Sequence, residues 1–361
     1  MNYIKIRRFL VAVIVILFVT FLIIVIIKIL TKKPIEYMKH GVSYHLLKHP
    51  EWYQSIYFPE EAFPPREEKA QEYNKKVKIG YEIMKTKKIV ITGLAKDISK
   101  NIYLNLKRMT KLGELFKDYV ITIFENDSID GTRTIIKEEA KNNPHIKLIS
   151  CPENPECKLR KISAANTGIN SLTRMERMAD FRNRTVNDVR KNYSNFDYVL
   201  VLDWDITGPI SFDGVATCFF YKDWHAMTAY GVVGSPIDKS GSSLSYYDSL
   251  AYVPLNKKPV KLNYLSLAKQ TYKTWSLGIK DRSQEPIKVQ SGFSGCAIYP
   301  IYVWLDNSVQ YAGYHCEHVA FHFSMIKAGY SNIYINPAMM LLHTVSIPFE
   351  SKKFLDKVFF F

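Results

Sequence analysis

Cysteine is scarce in this chain of 361 residues, and its spacing excludes two common kinds of site. The five cysteines include no pair separated by two residues, so neither a zinc knuckle nor a thioredoxin-type motif is predicted. Cys151 and Cys157 flank the segment PENPE and would form a local disulfide in an oxidising compartment, so a bonded and a free pair both remain open. Because the count is odd, at least one thiol stays unpaired within the chain.

Long basic tracts are also absent, although the chain is strongly basic. Lysine and arginine number 49 against 34 acidic residues, which gives a formal net charge of +15. The basic residues are spread along the chain, and there is neither a zinc-finger spacing nor an RNA-binding aromatic motif. A nucleic-acid-binding protein is therefore not predicted, and the charge favours smaller acidic partners such as phosphates, nucleotides or an anionic membrane surface.

A long hydrophobic run, FLVAVIVILFVTFLIIVII, occupies residues 9–27 and contains no charge and a single polar residue, Thr20. At roughly 1.5 Å per residue, a helix of this length spans the hydrocarbon core of a bilayer, which is about 30 Å thick. Signal-peptide cores are shorter and end in small residues. We therefore predict a short cytoplasmic tail at residues 1–8 and an uncleaved transmembrane signal anchor at residues 9–30.

The orientation of this anchor is predicted from the sizes of its flanking parts. Basic residues lie on both sides of the run, so the positive-inside rule nearly cancels. A very short tail followed by a large domain fits a single-pass type II membrane protein, with the domain in the lumen of a Golgi- or ER-like membrane. Whether that membrane belongs to a host or a virus remains open.

Beyond the anchor, the chain divides into a stem and one large domain. Residues 31–85 are rich in lysine, glutamate, tyrosine and proline and predict a stem with short helices, partly packed on the following domain. From residue 86, strand-like runs such as KIVITGLA, DYVITIFEN, HIKLISC and DYVLVLDWD alternate with segments of helical periodicity. This alternation predicts an α/β domain in which a parallel sheet carries helices on both faces.

The stretch FDYVLVLDWDITGP places two acids at the end of a buried strand. Residues 199–202 are all apolar, as expected of a strand covered on both faces. Asp203 and Asp205 follow, and alternation points both carboxylates to one side of the chain and Trp204 to the other. Two carboxylates held this close favour a divalent cation between them, and oxygen ligands suit Mg²⁺ or Mn²⁺. The alternative is a solvated acidic turn.

Other charged residues are predicted near the same edge of the sheet. FENDSIDGT offers Glu125 and Asp127 after the second strand, and ligands bind beyond the carboxyl ends of strands in such sheets. An Asx-turn before a helix capped by Thr132 is the structural alternative. Arg182 lies on the helix ahead of the acidic strand, where it would either bind a phosphate or bridge to Asp203.

Candidates in the second half lie in a loop, at a helix start and after an apolar run. SLSYYDSLAYVPL carries Asp248 beside two tyrosines, which suits a sugar but also an ordinary surface loop. HCEH places Glu317 at the start of a helix, where an acid either acts as a general base or only benefits from the helix dipole. His343 follows an apolar run, a position typical of a buried core histidine as well as of a ligand.

In this order, these segments resemble the GT-A glycosyltransferases and, more narrowly, the fungal capsule-associated α-1,3-mannosyltransferase family. The resemblance covers about residues 86–345 and rests on ENDSIDGT, RMADFRN, DYVLVLDWD, YYD, SGFSGCAIY, HCEH and INP. It implies a Rossmann-like domain at residues 86–361 with a mixed, mostly parallel sheet. The nucleotide-sugar half would comprise residues 86–209 and the acceptor half residues 210–361.

The resemblance also implies an activity and a cofactor. The chain would transfer a sugar from a nucleotide-sugar donor to a glycan hydroxyl with the help of Mn²⁺ or Mg²⁺. GDP-mannose is the favoured donor, and a UDP-sugar remains open. Asp203 and Asp205 would hold the cation, and His343 would complete the metal shell.

The remaining roles divide between the two substrates. The residues expected to bind the nucleotide-sugar are Glu125, Asp127, Arg182 and Asp203. Asp248 and Glu317 are expected to bind the acceptor or to act in catalysis. Two other functions remain open: an inactive module that only binds a glycan or nucleotide, and a metal-dependent nucleotidyltransferase. An intact acidic pair argues against the inactive module, because holding two carboxylates together is unfavourable without a cation.

Overall fold

A computed structural model describes residues 49–150, 172–234, 244–259 and 281–343. The predicted transmembrane anchor, the first part of the predicted stem and the pair Cys151 and Cys157 lie outside these residues. Within the described ranges, no helix is both long enough and apolar enough to cross a bilayer.

Strands and helices alternate through the first half of the described chain, as predicted. Its elements are α1 (Pro50–Gln54), α2 (Ala70–Met84), β1 (Lys88–Ala95), α3 (Ser99–Gly113), β2 (Asp118–Glu125), α4 (Thr132–Asn142), β3 (Ile146–Ser150), α5 (Leu172–Asn192) and β4 (Tyr198–Leu202). The second half contains α6 (Phe212–Phe220), β5 (Ala226–Gly234), β6 (Leu244–Tyr246), β7 (Val253–Pro254), β8 (Ile287–Ser291), β9 (Cys296–Pro300), α7 (Ile301–Leu305), α8 (Glu317–Lys327) and β10 (Ile333–Leu342).

The described strands form one ten-stranded sheet in the order β3-β2-β1-β4-β9-β5-β10-β8-β7, with β6 paired to β5. Strands β3, β2, β1 and β4 are parallel. Strand β9 then inserts between β4 and β5 and runs antiparallel to both. Beyond it, β10 is parallel to β5, but β8 and β7 are antiparallel to their neighbours.

The expectation of a mixed sheet is therefore correct, but the mostly parallel order holds only for the first half. The expectation rested on regular strand–helix alternation, in which each helix carries the chain back so that the next strand runs parallel. Strand β9 comes late in the chain, directly after β8 and a four-residue turn, and takes the free edge of β4 in the opposite direction.

Helices cover both faces of the sheet, as predicted. Alternate residues of β1 enter two separate apolar clusters, with Val90 in one and Ile89 and Ile91 in the other. The first cluster includes side chains from α5, α7 and α8, and the second includes side chains from α2, α3, α4 and α6. A strand covered in this way is apolar at successive positions, which is why β4 has its unbroken run.

The strand order fixes where a ligand would bind. Strand β1 pairs with β2 on one side and with β4 on the other. The chain runs from β1 outwards to β2 and β3 and then returns past β1 to β4, so the strand order reverses between β1 and β4. In open α/β sheets this switch point forms a crevice at the carboxyl ends of the strands. Residues directly after β1, β2 and β4 are therefore placed around one crevice.

The second part of the predicted stem packs closely on the domain. Helix α2 lies against α6, and a Cβ atom added to Gly80 would lie 1.9 Å from the backbone oxygen of Ala216. Arg282, which is 3% exposed, holds the same region by an ion pair with Glu60 and a hydrogen bond to the Tyr73 hydroxyl. The domain boundary at residue 86 stays a prediction, but residues from α1 onwards share the packing of the domain.

Arg108, on α3, connects the segment around α1 to the domain. Its side chain is 1% exposed. Its guanidinium donates to the backbone carbonyls of Tyr53 and Ser55, each at 2.8 Å, and to Oδ1 of Asn105, also at 2.8 Å. Because these carbonyl groups are held away from water, Arg108 replaces the solvent as their hydrogen-bond donor.

We predict that Arg108→Leu detaches the segment around α1 and lowers the free energy of unfolding by about 2–3 kcal/mol, because at least two buried carbonyls lose their donors. Lys107→Leu, one position earlier on the exposed side of α3, is the matched control and should change stability by less than about 0.5 kcal/mol. Chemical denaturation and limited proteolysis near residue 55 measure both effects. Equal stabilities for the two variants would contradict this role of Arg108.

Candidate active site

A cleft of about 530 Å³ lies at the carboxyl edge of β1 and β4. Helix α5 forms one wall, and the segments after β6 and before α8 form the other. The lining residues are Leu94, Ala95, Lys96, Ile98, Asn126, Arg174, Met175, Met178, Arg182, Asp203, Asp205, Tyr247, Asp248, Leu250, Cys316, Glu317 and His318. Five of the eight residues predicted from the sequence therefore meet in one place, and they come from both halves of the domain.

The two acids after β4 lie in this cleft, as their alternation predicts. Asp203 and Asp205 both line it, and Asp205 is exposed. Trp204 points the other way and is 0% exposed within the apolar layer beneath. The acids therefore lie in a turn directly after β4, with Asp203 half-buried and Asp205 exposed, so the metal-binding role and the acidic turn both remain open.

Two features fix the backbone that carries these acids. Asn105, on α3, donates from Nδ2 to the carbonyls of Trp204 (2.9 Å) and Ile206 (2.8 Å). Gly93, on β1, leaves room for the strand end, because an added Cβ atom would lie 2.0 Å from the backbone oxygen of Leu202. The sequence analysis did not select either residue, since a buried Asn on a helix and a Gly in a strand give no specific signal.

Arg182 connects the acids of the two halves. Its side chain is 2% exposed, and Nη2 donates to Oδ1 of Asp203 at 2.7 Å. Its Nε lies 3.7 Å from Oε1 of Glu317, at the start of α8. Of the two sequence alternatives for Arg182, the structure shows the bridge to Asp203. Its Nε and Nη1 atoms are buried and form no hydrogen bond with the described residues.

The charges of this group depend on one another. Burial disfavours the Arg182 cation, but the carboxylates of Asp203 and Glu317 outweigh that effect and raise the pKa of Arg182, so it stays charged. Burial raises the pKa of Asp203, the Arg182 cation opposes the rise, and Asp205 adds to it. A single buried cation thus stabilises two carboxylates that would otherwise repel each other.

Asp248 reaches the cleft from an unusual backbone conformation. Its φ angle is 67°, and its carboxylate accepts hydrogen bonds from the backbone N–H groups of Ala251 and Ser294, each at 3.2 Å. Ser294, in the turn GFSG, also has a positive φ angle of 55°. Non-glycine residues in this region are strained and persist where the surroundings hold them. Burial raises the pKa of Asp248 to about 6, although the two N–H groups favour its charged form.

Glu317 and His318 begin α8 at the floor of the cleft. They are 6% and 3% exposed, and the His318 Nε2 atom lies 3.7 Å from Oε1 of Glu317. The His318 ring stacks on Phe293, with ring centroids 3.5 Å apart. Glu317 is the first residue of the helix, where its charge is stabilised by the helix dipole. The sequence predicted Glu317 but not His318.

The acids after β2 do not line the cleft. Glu125 is 0% exposed, forms an ion pair with Arg133 and accepts from the backbone N–H of Ser128 at 2.8 Å. Asp127 forms an ion pair with Lys96 at 2.5 Å. Lys96 itself and Asn126 line the cleft in their place. The structure shows Glu125 paired with Arg133 and Asp127 paired with Lys96. A nucleotide-binding role for the two acids stays a prediction.

The turn after β2 also differs in detail from the expectation. Thr132 is the first residue of α4 rather than its cap, and Gly131 precedes it with a φ angle of 92°. The Asp130 carboxylate accepts from both the backbone N–H and the hydroxyl of Thr132. The side-chain capping comes from an acid because Gly131 has no side chain to offer.

His343 lies beside the cleft rather than on its surface. It is 7% exposed, and its ring lies 4.3 Å from that of Tyr247, measured between centroids. Thr207 Oγ1 lies 3.3 Å from its Nδ1 atom. Burial lowers the pKa of His343, and the charge of Asp205 acts in the opposite direction. The Tyr247 ring packs against the ring of His343. The role of His343 as a metal ligand stays a prediction.

The acids in the cleft suit a divalent cation that a substrate helps to hold. Among the described residues, no group of three or more His, Cys, Asp or Glu side chains is close enough to hold a metal by itself. Mg²⁺ is usually bound by one or two carboxylates, with substrate phosphates and water as its other ligands. Asp205, exposed in the cleft, and the second oxygen of Asp203 fit that donor set.

No protein-family model and no curated protein sequence matches the chain. Solved structures with similar folds include a mannosyltransferase from Pyrobaculum calidifontis in complex with GDP-Man and Mn²⁺. It has a TM-score of 0.45 and 10% identity, over 79% of this chain and 69% of that chain.

Two further structures show a similar degree of likeness. Glucosyl-3-phosphoglycerate synthase from Mycobacterium tuberculosis, with Mn²⁺ and UDP, has a TM-score of 0.41 and 11% identity, over 74% of this chain and 75% of that chain. S. aureus TarS with UDP has a TM-score of 0.40 and 12% identity, over 71% of this chain and 60% of that chain. The likeness to these three structures is one of fold alone.

We predict that Arg182→Met lowers the free energy of unfolding by about 3 kcal/mol at neutral pH, because it leaves two carboxylates without their buried cation. Arg184→Met is the matched control on the same helix. Arg184 pairs with Asp180, and their side chains are 34% and 47% exposed, so its loss should cost less than about 1 kcal/mol. Urea denaturation measures both, and equal losses would contradict the role of Arg182.

Asp248 gives a prediction about pH. Because its pKa is raised from 3.8 to about 6, the folded protein holds a proton that the unfolded chain releases. The contribution of Asp248 to stability is therefore fully present below about pH 4 and is lost as the pH rises through 6. Asp248→Asn should match the parent near pH 4 and become more stable by about 1–2 kcal/mol near pH 7.5, in metal-free buffer.

The control for this pH effect is Asp306→Asn, which should behave in the opposite way. Hydrogen bonds from Ser308 lower the pKa of Asp306, so its contribution is present above about pH 4 and lost in acid. Thermal unfolding across this pH range measures both variants. A pH-independent difference between Asp248→Asn and the parent would show that the Asp248 carboxyl is not held protonated by the fold.

Proposed function

We propose that the chain is a metal-dependent glycosyltransferase that transfers a sugar from a nucleotide-sugar to a hydroxyl group of a glycan. One observation carries the proposal. Asp203 and Asp205, which follow the parallel half-sheet, line one cleft together with Asp248 and Glu317 from the second half. The first pair suits the phosphates of a donor through a cation, and the second pair suits the hydroxyl groups of a sugar.

The position of the cleft supports a nucleotide as part of the donor. It lies at the switch point between β1 and β4, where open α/β sheets bind such ligands. Lys96 and Arg174, which line it, bring positive charge to the side where a diphosphate would lie. A divalent cation held by Asp203 and Asp205 would neutralise the negative charge that develops on the diphosphate leaving group.

The residues of the chain itself have three tasks in this proposal. Arg182 holds Asp203 in place and keeps both it and Glu317 near a fixed positive charge. Glu317 receives the proton of the acceptor hydroxyl, whose oxygen bonds to the anomeric carbon as the bond to the diphosphate breaks. Asp248, fixed by two backbone N–H groups, orients the acceptor.

The finer features of the proposal rest on the sequence. GDP-mannose is proposed as the donor because of the resemblance to the fungal capsule-associated mannosyltransferases, with a UDP-sugar as the alternative. Residues 9–30 are proposed to anchor the enzyme as a type II membrane protein of a Golgi- or ER-like membrane, because of their length and lack of charge. The active domain would then lie in the lumen.

The proposal is tested with the full-length chain in mild detergent. GDP-mannose, UDP-glucose and other common nucleotide-sugars are incubated with Mn²⁺, and release of the nucleoside diphosphate is measured with and without glycan acceptors. Mass spectrometry of the products separates sugar transfer from nucleotidyl transfer. If no donor shows metal-stimulated turnover, the proposal is wrong, and metal-independent glycan binding would indicate an inactive binding module.

We predict that Asp205→Asn lowers metal-dependent turnover by on the order of 10²–10³, because an amide cannot neutralise a cation against the diphosphate. The melting temperature in metal-free buffer should stay equal or rise slightly, since a repulsive carboxylate is removed. Asp223→Asn is the control, because Asp223 is exposed and precedes β5 at the far end of that strand. Near-normal turnover with a lowered melting temperature would rule out the metal-binding role of Asp205.

A further inference from the structure

His318 is an unusual histidine because it is buried and yet forms no hydrogen bond. It is 3% exposed, and neither Nδ1 nor Nε2 has a hydrogen-bond partner among the described residues. The nearest acid is Glu317, whose Oε1 lies 3.7 Å from Nε2, beyond hydrogen-bond distance. At the same time, His318 lines the cleft, with both ring nitrogens buried at its wall next to the space that a ligand would fill.

His322 lies one turn further along α8 and shows the ordinary arrangement. It is 0% exposed, its Nδ1 lies 2.9 Å from the Ser291 hydroxyl, and its Nε2 lies 3.0 Å from the Tyr299 hydroxyl. Buried polar groups in folded proteins are normally satisfied in this way. Two buried histidines on one helix therefore differ in a single respect: the one in the core is fully bonded, and the one at the cleft is not.

The His318 ring is also held in one orientation. It stacks on Phe293 at an angle of 15°, and the ring of Tyr311 meets it edge-on at 5.7 Å between centroids. Burial lowers the pKa of His318 well below its usual value, and the nearby Arg182 and His322 add to the effect. A neutral imidazole offers one donor and one acceptor, a combination that matches a hydroxyl group.

We propose that His318 is a specificity-determining residue that forms a hydrogen bond with a hydroxyl group of a sugar ring bound in the cleft. The inference rests on the proposed function and goes beyond it by naming the group that the sugar must present. The sugar is either that of the donor, beyond the diphosphate, or that of the acceptor, beside Glu317. A sugar without this hydroxyl would leave the buried imidazole unsatisfied and would be rejected on that ground.

The test compares His318→Phe, His318→Gln and His322→Phe in the full-length chain. Phenylalanine keeps the stacking on Phe293 but offers no hydrogen bond, and glutamine keeps both a donor and an acceptor. The donor arm measures calorimetric affinities for GDP, UDP, GDP-mannose and UDP-glucose with Mn²⁺. The acceptor arm measures saturation-transfer signals of methyl α-mannoside and methyl α-glucoside with the nucleoside diphosphate bound.

We expect His318→Phe to leave the affinity for GDP and UDP within about twofold. It should weaken roughly tenfold the binding of either the nucleotide-sugar that the parent prefers or the methyl glycoside. Whichever binding is weakened identifies the sugar that carries the hydroxyl group. His318→Gln should restore part of the loss. The melting temperature of His318→Phe should not fall below that of the parent, because an unbonded imidazole ring is replaced by an apolar ring. His322→Phe should lower the melting temperature and leave both affinities unchanged.

Two results would overturn the inference, and they are distinguishable from failure of the proposed function. If the parent binds a nucleotide-sugar with Mn²⁺ but His318→Phe changes neither arm, His318 does not contact a sugar and only this inference is wrong. If His318→Phe lowers the melting temperature as much as His322→Phe, the role of His318 is structural. If the parent binds no nucleotide-sugar and no methyl glycoside, the inference and the proposed function are both wrong.

Discussion

The cleft depends on the buried guanidinium of Arg182. Asp203 directly follows the central strand β4 and Glu317 begins a helix more than a hundred residues later, and both carboxyl groups lie beside the same cation. Without that cation, the two carboxylates would repel each other in a site of low solvent access. The pairing therefore connects the two halves of the domain, and Asp205 and Asp248 line the same cleft.

Two parts of the cleft wall are fixed by hydrogen bonds and close packing. Asn105 and Gly93 fix the strand end that carries the acidic pair, and the backbone N–H groups of Ala251 and Ser294 fix Asp248. Groups held in this way lose little entropy when a ligand binds, which favours a well-defined bound geometry. Within the described part of the chain, Arg182 and His318 each have two buried nitrogen atoms without a hydrogen-bond partner, and both residues line the cleft.

Local sequence patterns predicted the features that depend on neighbouring residues alone, such as a strand and the residues that follow it. The apolar run of β4 followed by Asp203 and Asp205 was sufficient to place a strand and its exposed end, since both follow from alternation. The sequence could not show that Arg133 and Lys96 pair with Glu125 and Asp127, because those contacts depend on how a helix and a neighbouring strand approach. The antiparallel pairs of the second half could not be located for the same reason, since strand order is a property of the whole sheet.

The attachment of residues 53 and 55 to Arg108 has a consequence for how far the domain can move. From α1 onwards the chain is bound to the domain, so only residues 31–48 separate it from the proposed anchor. Even fully extended, 18 residues span at most roughly 60 Å. If residues 9–30 anchor the chain as proposed, this length sets the greatest distance between the membrane surface and the start of the domain.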